Sequence, residues 1–109
     1  MAWQQRYEAQ APAREDVDGM QGPVVVEFGT NWCGYCAGAQ PLIEQAFADH
    51  DAVRHIKVED GPGRRLGRTF GVKLWPTLVF MRDGREVSRL VRPTDAEAVR
   101  RALSEIAGA

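Results

Sequence analysis

The sequence predicts an α/β fold in which a central mixed sheet is covered by helices on both faces. Strand-like apolar runs alternate with helical segments through the first two-thirds of the chain, and a hairpin and a last helix follow. The chain has 109 residues, enough for one domain with one hydrophobic core. We therefore expect residues 1–109 to form a single domain, and residues 1–20 carry the weakest pattern.

The N-terminal third of the chain predicts two strands and a short helix. Tyr7 to Gln10 is compatible with an edge strand, and Ala13 to Met20 with a short helix that follows Pro12. Gly22-Pro23 marks a break in the chain. Val24 to Phe28 is then predicted as a buried strand, because β-branched and aromatic residues dominate it.

The middle of the chain repeats the alternation of helix and strand. A helix is predicted from about Cys33 to Asp49, and Pro41 inside it removes one backbone donor. Val53 to Glu59 alternates like a strand, a loop follows at Asp60 to Gly63, and Arg64 to Phe70 predicts about two helical turns.

The C-terminal third predicts a hairpin followed by a helix. Thr77 to Arg82 and Arg85 to Val91 are strand-like, and Asp83-Gly84 between them is a strong signal for a two-residue hairpin turn. Thr94-x-x-Glu97 predicts a capping box at the start of the last helix. Apolar residues then recur on one helical face, at Val99, Leu103 and Ile106.

The two cysteines of the chain stand three positions apart, in Cys33-Gly34-Tyr35-Cys36. They are placed where the first long helix is expected to begin. A thiol at a helix N-terminus faces unpaired backbone N–H groups and the positive end of the helix dipole, and both favour the thiolate. Since the thiolate is the nucleophilic form of cysteine, Cys33 is a candidate for redox chemistry.

Charge and composition exclude some classes of function. The net charge of −1 argues against a nucleic-acid-binding surface. The N-terminus lacks the apolar region of a secretion signal, and no stretch is long enough to span a membrane. We therefore expect a cytoplasmic protein, in which a Cys-x-x-Cys pair is catalytic, redox-sensing or metal-binding rather than a structural disulfide.

With these elements in place, the chain resembles the thioredoxin family from about Val24 to Ile106. Four features occur in the order typical of that family: an acid on the apolar strand, Trp32 before the cysteine pair, a proline in the next helix and Trp75-Pro76-Thr77 before a strand. The resemblance implies a thioredoxin fold and thiol–disulfide oxidoreductase activity, carried by the cysteine pair without a further cofactor. It also implies a cis peptide bond before Pro76.

The same resemblance assigns roles to the catalytic residues. It makes Cys33 the exposed nucleophile and Cys36 the buried resolving cysteine. Glu27 matches the buried acid of the family, and we expect burial to raise its pKa so that it accepts the proton of Cys36. His55 or Lys57 takes the place of the lysine that the family often sets beside this acid, and both point to the same side of their strand.

Substrate contacts are implied at a second set of positions. Trp32 is expected at the rim of the site, and Gly34 and Tyr35 separate the two cysteines. The backbone of Trp75, before Pro76, is expected to pair with an extended substrate chain. A last contact is Arg92, which replaces a glycine of the family; we hypothesise that it favours the Cys33 thiolate or selects acidic partners.

Besides Arg92, three further residues depart from the family pattern. Gly29 stands where thioredoxins usually carry a tryptophan, so part of the aromatic wall around the site is expected to be missing. Tyr35 replaces a proline between the cysteines, which affects the redox potential. Trp75 replaces a smaller residue and is expected to narrow the substrate groove.

The expected partners are proteins that contain disulfides, and the expected electron donor is a thioredoxin reductase or glutathione. The chain is expected to be a monomer.

Two alternatives to an oxidoreductase remain open. A thioredoxin-like domain that binds or senses without turnover is one. The other is a zinc site, because Cys33-x2-Cys36-x13-His50-x4-His55 has zinc-finger spacing. A finger would need both histidines on one helix, whereas His55 is predicted in a strand.

Overall fold

A computed structural model describes residues 6–108 of the chain. Helices and strands alternate as expected, in the order α1 (Arg14–Asp18), β1 (Pro23–Gly29), α2 (Gly34–Phe47), β2 (Arg54–Glu59), α3 (Arg65–Thr69), β3 (Thr77–Arg82), β4 (Arg85–Val91) and α4 (Ala96–Ala107). Within this part of the chain, no helix combines the length and the apolar character needed to cross a membrane.

The four strands form one mixed sheet in the order β2-β1-β3-β4. β1 runs parallel to β2 and antiparallel to β3, and β3 runs antiparallel to β4. The predicted mixed sheet is therefore confirmed. Since β1 has a neighbour on each side, its backbone is fully paired and its side chains are buried from Val24 onward.

Alternation along β1 divides the interior into two apolar clusters, one on each face of the sheet. Val25 packs with residues of α2 and α4, whereas Val24, Val26 and Phe28 pack with residues of α1 and α3. Successive side chains of a strand point to opposite faces. Glu27 therefore lies on the same face as Val25, beneath α2.

The hairpin prediction is confirmed by the backbone of its turn. Asp83 and Gly84 both have positive φ, at 53° and 81°, as a two-residue turn of this kind requires. The turn contacts the first helix, because a Cβ atom on Gly84 would lie 1.9 Å from the carbonyl oxygen of Asp18. Only glycine fits at this close approach.

Most element boundaries agree with the expectations within one or two residues, and larger differences occur at three places. The predicted edge strand at Tyr7 to Gln10 is reduced to a single bridge between Glu8 and Val58. The helix predicted over Ala13 to Met20 is limited to α1. At α4 the N-cap is Asp95, whose carboxylate accepts the backbone N–H of Ala98 at 2.8 Å, so the capping box predicted at Thr94 is wrong.

Candidate active site

The two cysteines lie at the N-terminus of α2 in unequal surroundings. Cys33 is the N-cap residue, and its Sγ accepts a hydrogen bond from the backbone N–H of Cys36 at 3.4 Å. Cys33 is partly exposed, whereas Cys36 is 1% exposed, and both are free thiols. A reagent in solvent therefore meets Cys33 first.

These surroundings move the two thiol pKa values in opposite directions. Partial burial acts to raise the pKa of Cys33, but hydrogen bonds from Cys36 and Tyr35 and the charge of Arg92 outweigh it and lower the pKa. Burial raises the pKa of Cys36 to about 11, although the backbone N–H of Thr30 opposes the shift. The geometry thus supplies one thiol that ionises readily and one that keeps its proton.

The loop before β3 forms the opposite side of the site. The peptide bond between Trp75 and Pro76 is cis, as the family resemblance implied. The indole of Trp75 donates to Asp60 at 2.8 Å and meets the ring of Trp32 edge-to-face, with centroids 5.8 Å apart. Trp32 itself is 76% exposed, so it forms an accessible rim.

Arg92 links this loop to the segment between the cysteines. Its Nε donates to the backbone carbonyl oxygen of Trp75 at 2.8 Å, and its guanidinium lies 3.7 Å from the centroid of the Tyr35 ring. Its φ of 51° lies in the region that favours glycine, consistent with the glycine usual in the family. Arg92 therefore contacts two site residues, and its positive charge lowers the pKa of Cys33.

A buried polar network lies below Cys36, centred on Glu27. The Glu27 side chain is fully buried, and its carboxylate accepts hydrogen bonds from the hydroxyl of Tyr7 and from Gln40 Nε2 at 3.0 Å. His55 Nε2 lies 2.9 Å from the other oxygen. Lys57 donates to Gln40 Oε1 at 2.6 Å and its charge acts on Glu27. Both predicted neighbours of Glu27 are present.

The expected rise in the pKa of Glu27 is wrong. Burial does act to raise it, but the hydrogen bond and charge of His55, the charge of Lys57 and the hydrogen bond from Tyr7 together lower the pKa below its usual value. Glu27 is therefore ionised at neutral pH. The ionised carboxylate can accept a proton, although it is a weaker base than a carboxylate with a raised pKa would be.

Tyr7 and Gln40 were not predicted as site residues, yet both contact Glu27 and each other. Gln40 Nε2 lies 3.2 Å from the Tyr7 hydroxyl and also donates to the backbone carbonyl of Cys36 at 3.0 Å. The N–H of Tyr7 donates to Asn31 Oδ1 at 2.9 Å, and Asn31 Nδ2 donates back to the Tyr7 carbonyl at 3.1 Å. This pair of bonds fixes Tyr7 beside the site.

Gly29 is a sequence signal from which Tyr7 could have been predicted. A Cβ atom on Gly29 would lie 2.6 Å from Cys36 Sγ and 2.7 Å from Cζ of Tyr7. The aromatic wall expected to be missing at Gly29 is thus filled by a ring from the N-terminal segment. A glycine in place of a large aromatic residue indicates that another side chain occupies its space.

The residues of the zinc alternative lie on separate elements. Cys33 and Cys36 begin α2, His50 follows that helix, and His55 on β2 contacts Glu27. Across residues 6–108 no group of three or more histidine, cysteine, aspartate or glutamate residues is arranged to hold a metal ion.

Comparisons with known proteins agree with this geometry. A family model described as Thioredoxin matches residues 7–105. A thioredoxin of Mycolicibacterium smegmatis is 34% identical over 93 residues, with 83% of each chain covered. A thioredoxin of Chlamydia muridarum is 33% identical over 84 residues, covering 77% of this chain and 82% of the relative.

Among solved structures, the fold is similar to that of thioredoxin 2 from Pseudomonas aeruginosa PAO1 in its reduced form. The TM-score is 0.87, the two sequences are 57% identical, and the match covers 97% of this chain and 98% of that one.

Proposed function

Because the chain belongs to the thioredoxin family and is a thiol–disulfide oxidoreductase, we propose that Cys33 is its nucleophile and Cys36 its resolving cysteine. The observation that carries this assignment is the inequality of the two thiols. Cys33 is partly exposed with a lowered pKa, and Cys36 is buried with a pKa raised to about 11. Only the first suits attack on an incoming disulfide.

In the first step the Cys33 thiolate attacks one sulfur of a target disulfide. A bond forms between Cys33 Sγ and that sulfur, while the other target sulfur leaves as a thiolate with the electron pair of the broken bond. The product is a mixed disulfide between this chain and the target. The lowered pKa of Cys33 increases the fraction of this thiol that is already ionised when a target disulfide arrives.

In the second step Cys36 loses its proton and attacks Cys33 Sγ. The bond between Cys33 and the target breaks, the target sulfur leaves as a thiolate, and the Cys33–Cys36 disulfide remains. The target has gained two electrons and the cysteine pair has lost two. Glu27 is the proposed acceptor of the Cys36 proton, since it is ionised, buried and part of the network beneath Cys36.

An extended substrate segment is proposed to bind between Trp32 and the loop at Trp75-Pro76. Apart from its chain neighbours and the backbone of α2, no described atom lies within 4 Å of a Cβ built on Gly34, so the surface next to Cys33 is open there. The carbonyl of Trp75 is already bonded to Arg92 Nε. A substrate strand that pairs with this carbonyl therefore either shares its oxygen with Arg92 or displaces Arg92 from it.

Thioredoxin-family proteins act on disulfide substrates, and we infer further that the partners here are disulfide-containing proteins. A thioredoxin reductase, or glutathione, is the proposed electron donor that returns the pair to its dithiol form. The chain is proposed to act as a monomeric single domain in the cytoplasm, where thiols are kept reduced.

Reduction of insulin with dithiothreitol as electron donor tests the proposed roles. We expect the wild-type chain to accelerate precipitation of the insulin B chain, Cys33→Ser to abolish the effect, and Cys36→Ser to accumulate a mixed disulfide. If Cys33→Ser retained the wild-type rate, the assignment of the nucleophile would be wrong. If the wild-type chain bound a target without turnover, the binding-module alternative would replace it.

A further inference from the structure

The side chain of Tyr7 joins the resolving cysteine to the buried acid. Its hydroxyl donates to Glu27 and is also in hydrogen-bonding contact with the side chain of Cys36. Tyr7 and Cys36 also approach each other at Gly29. A Cβ atom added to Gly29 would touch Cys36 Sγ, Tyr7 Cζ and the Tyr7 hydroxyl. Tyr7 is buried, so these contacts are protected from solvent.

We propose that the Tyr7 hydroxyl relays the proton of Cys36 to Glu27 during the second step of the reaction. The inference rests on the roles proposed above for Cys36 and Glu27. A phenolic hydroxyl suits this position because it donates one hydrogen bond and accepts another at the same atom. It can therefore receive a proton from sulfur while it passes its own proton to the carboxylate.

The relay balances in protons and in electrons. As Cys36 Sγ forms its bond to Cys33 Sγ, its proton moves to the Tyr7 oxygen, and the original Tyr7 proton moves to Glu27. Tyr7 ends as it began, Glu27 becomes a neutral acid, and the target sulfur leaves with the electron pair of its broken bond. The total charge is the same before and after, because the negative charge of Glu27 is replaced by that of the target thiolate.

Tyr7 must act as a neutral relay rather than as a base. Burial, the charge of Glu27 and the contact with Cys36 all raise the pKa of Tyr7 far above its ordinary value, so a free tyrosinate is not formed. The two transfers therefore occur together. Proton loss from Cys36 then accompanies formation of the disulfide bond, which suits an acceptor such as Glu27 whose own pKa is low.

The surroundings hold the relay in place, and a cleft borders it on one side. Gln40 contacts both ends of the hydrogen bond between Tyr7 and Glu27, and Lys57 lies 4.5 Å from the centre of the Tyr7 ring. An open cleft of about 640 Å³ is lined by Tyr7, Cys36 and Gln40, among other residues. Among residues 6–108, the titratable groups that act on Tyr7 are Glu27 on β1, Lys57 on β2 and Cys36 on α2, and His55 on β2 contacts Glu27 from its other oxygen.

The variant Tyr7→Phe tests the relay, because it keeps the ring against Gly29 and removes only the hydroxyl. Reaction of the reduced chain with Ellman's reagent releases coloured thionitrobenzoate twice, first as Cys33 attacks and then as Cys36 resolves the mixed disulfide. Stopped-flow measurement of both phases over neutral and alkaline pH separates the two steps. The first phase serves as an internal control, since none of the hydrogen bonds described for Tyr7 goes to Cys33.

We expect the second phase of Tyr7→Phe to be slower by about tenfold or more at neutral pH, with its pH profile moved to higher pH. The first phase should keep its wild-type rate. A second phase with wild-type rate and profile would overturn the relay while leaving the roles of the cysteines intact. Equal slowing of both phases would also overturn it. Loss of the first phase in the wild-type chain would instead contradict the proposed function.

The solvent isotope effect on the wild-type chain tests the relay without any variant. Two protons move together in the relay, so the rate of the second phase in mixtures of light and heavy water should fall along a curve rather than a straight line. A straight line indicates one proton in motion and contradicts the relay.

Discussion

At the scale of single residues, the ionised state of Glu27 depends on its neighbours. Tyr7, Gln40 and His55 supply hydrogen bonds to a carboxylate that burial alone would neutralise. Because folding lowers the pKa of Glu27, the folded state is more stable relative to the unfolded one when this residue is ionised than when it is protonated. Glu27 therefore links the chemistry of the site to the pH dependence of folding.

The pH dependence of unfolding tests this link. The pKa of Glu27 is lower in the folded chain than in the unfolded one, so its contribution is present above the ordinary glutamate pKa. That contribution is lost as the pH falls through the folded value. We expect urea unfolding of Glu27→Gln to show a weaker loss of stability in acid than the wild type.

Glu86→Gln is the matched control. Glu86 is paired with Arg89 at the surface, and the hydrogen bond from Arg89 lowers its pKa. A surface pair contributes little, about 0–1 kcal/mol, so this variant should follow the wild-type curve closely. An acid profile of Glu27→Gln equal to that of the wild type contradicts the account of Glu27.

The fit of Tyr7 against Gly29 predicts a second effect at this scale. Gly29→Ala adds a carbon 2.6 Å from Cys36 Sγ, and we expect overpacking to reduce the free energy of unfolding by about 1–3 kcal/mol. Gly38→Ala is the control, since no atom outside α2 lies within 4 Å of its added carbon. Alanine there should stabilise the helix by about 0.5–1 kcal/mol.

Chemical denaturation of both glycine variants gives the comparison. Equal stability of Gly29→Ala and the wild type would show that the ring of Tyr7 does not occupy the space above Gly29.

At the scale of elements, strongly patterned segments were predicted well and the weakly patterned N-terminal segment was not. The β3–β4 hairpin was predicted with its correct residues, because Asp83-Gly84 has a turn preference that depends on local backbone geometry alone. The segment around Tyr7 was predicted as a strand. Its position depends on Asn31 and Gly29, which lie far along the chain, and no local periodicity reports such contacts.

The first turn of α4 shows the same distinction and gives a prediction. Sequence spacing favoured Thr94 as the cap, whereas the carboxylate of Asp95 accepts the N–H of Ala98. We expect Asp95→Ala to cost about 1 kcal/mol of stability and Thr94→Ala to have little effect. Thermal unfolding of the two variants measures the difference, and the reverse order would restore the capping box predicted at Thr94.

At the scale of the whole molecule, strand directions bring the site together. β3 runs antiparallel to both of its neighbours, so it begins at the end of the sheet where β1 and β4 terminate. That arrangement gathers Cys33 after β1, Pro76 before β3 and Arg92 after β4. The family motif was sufficient to predict this meeting from the sequence, since each residue stands at a recognised position.

The buried network around Glu27 was harder to predict, because it depends on how several parts of the molecule pack together. A basic residue beside Glu27 was expected from the family resemblance, as His55 or Lys57, and both are there because their side chains point to the same side of the adjacent strand. The direction of the pKa shift of Glu27 was not predicted, because it depends on the balance between burial and the contacts from β2 and from Tyr7 in the N-terminal segment. Sequence spacing gives neighbours, whereas the balance of their effects requires the geometry.

The most direct test of the account is the reactivity of each thiol toward iodoacetamide as a function of pH, with the modified cysteine identified by mass spectrometry. We predict that Cys33 reacts readily in the neutral range. Cys36 should stay unmodified until the pH approaches about 11, where its thiol ionises. Equal rates at Cys33 and Cys36 across this range would contradict the division into a nucleophile and a resolving cysteine.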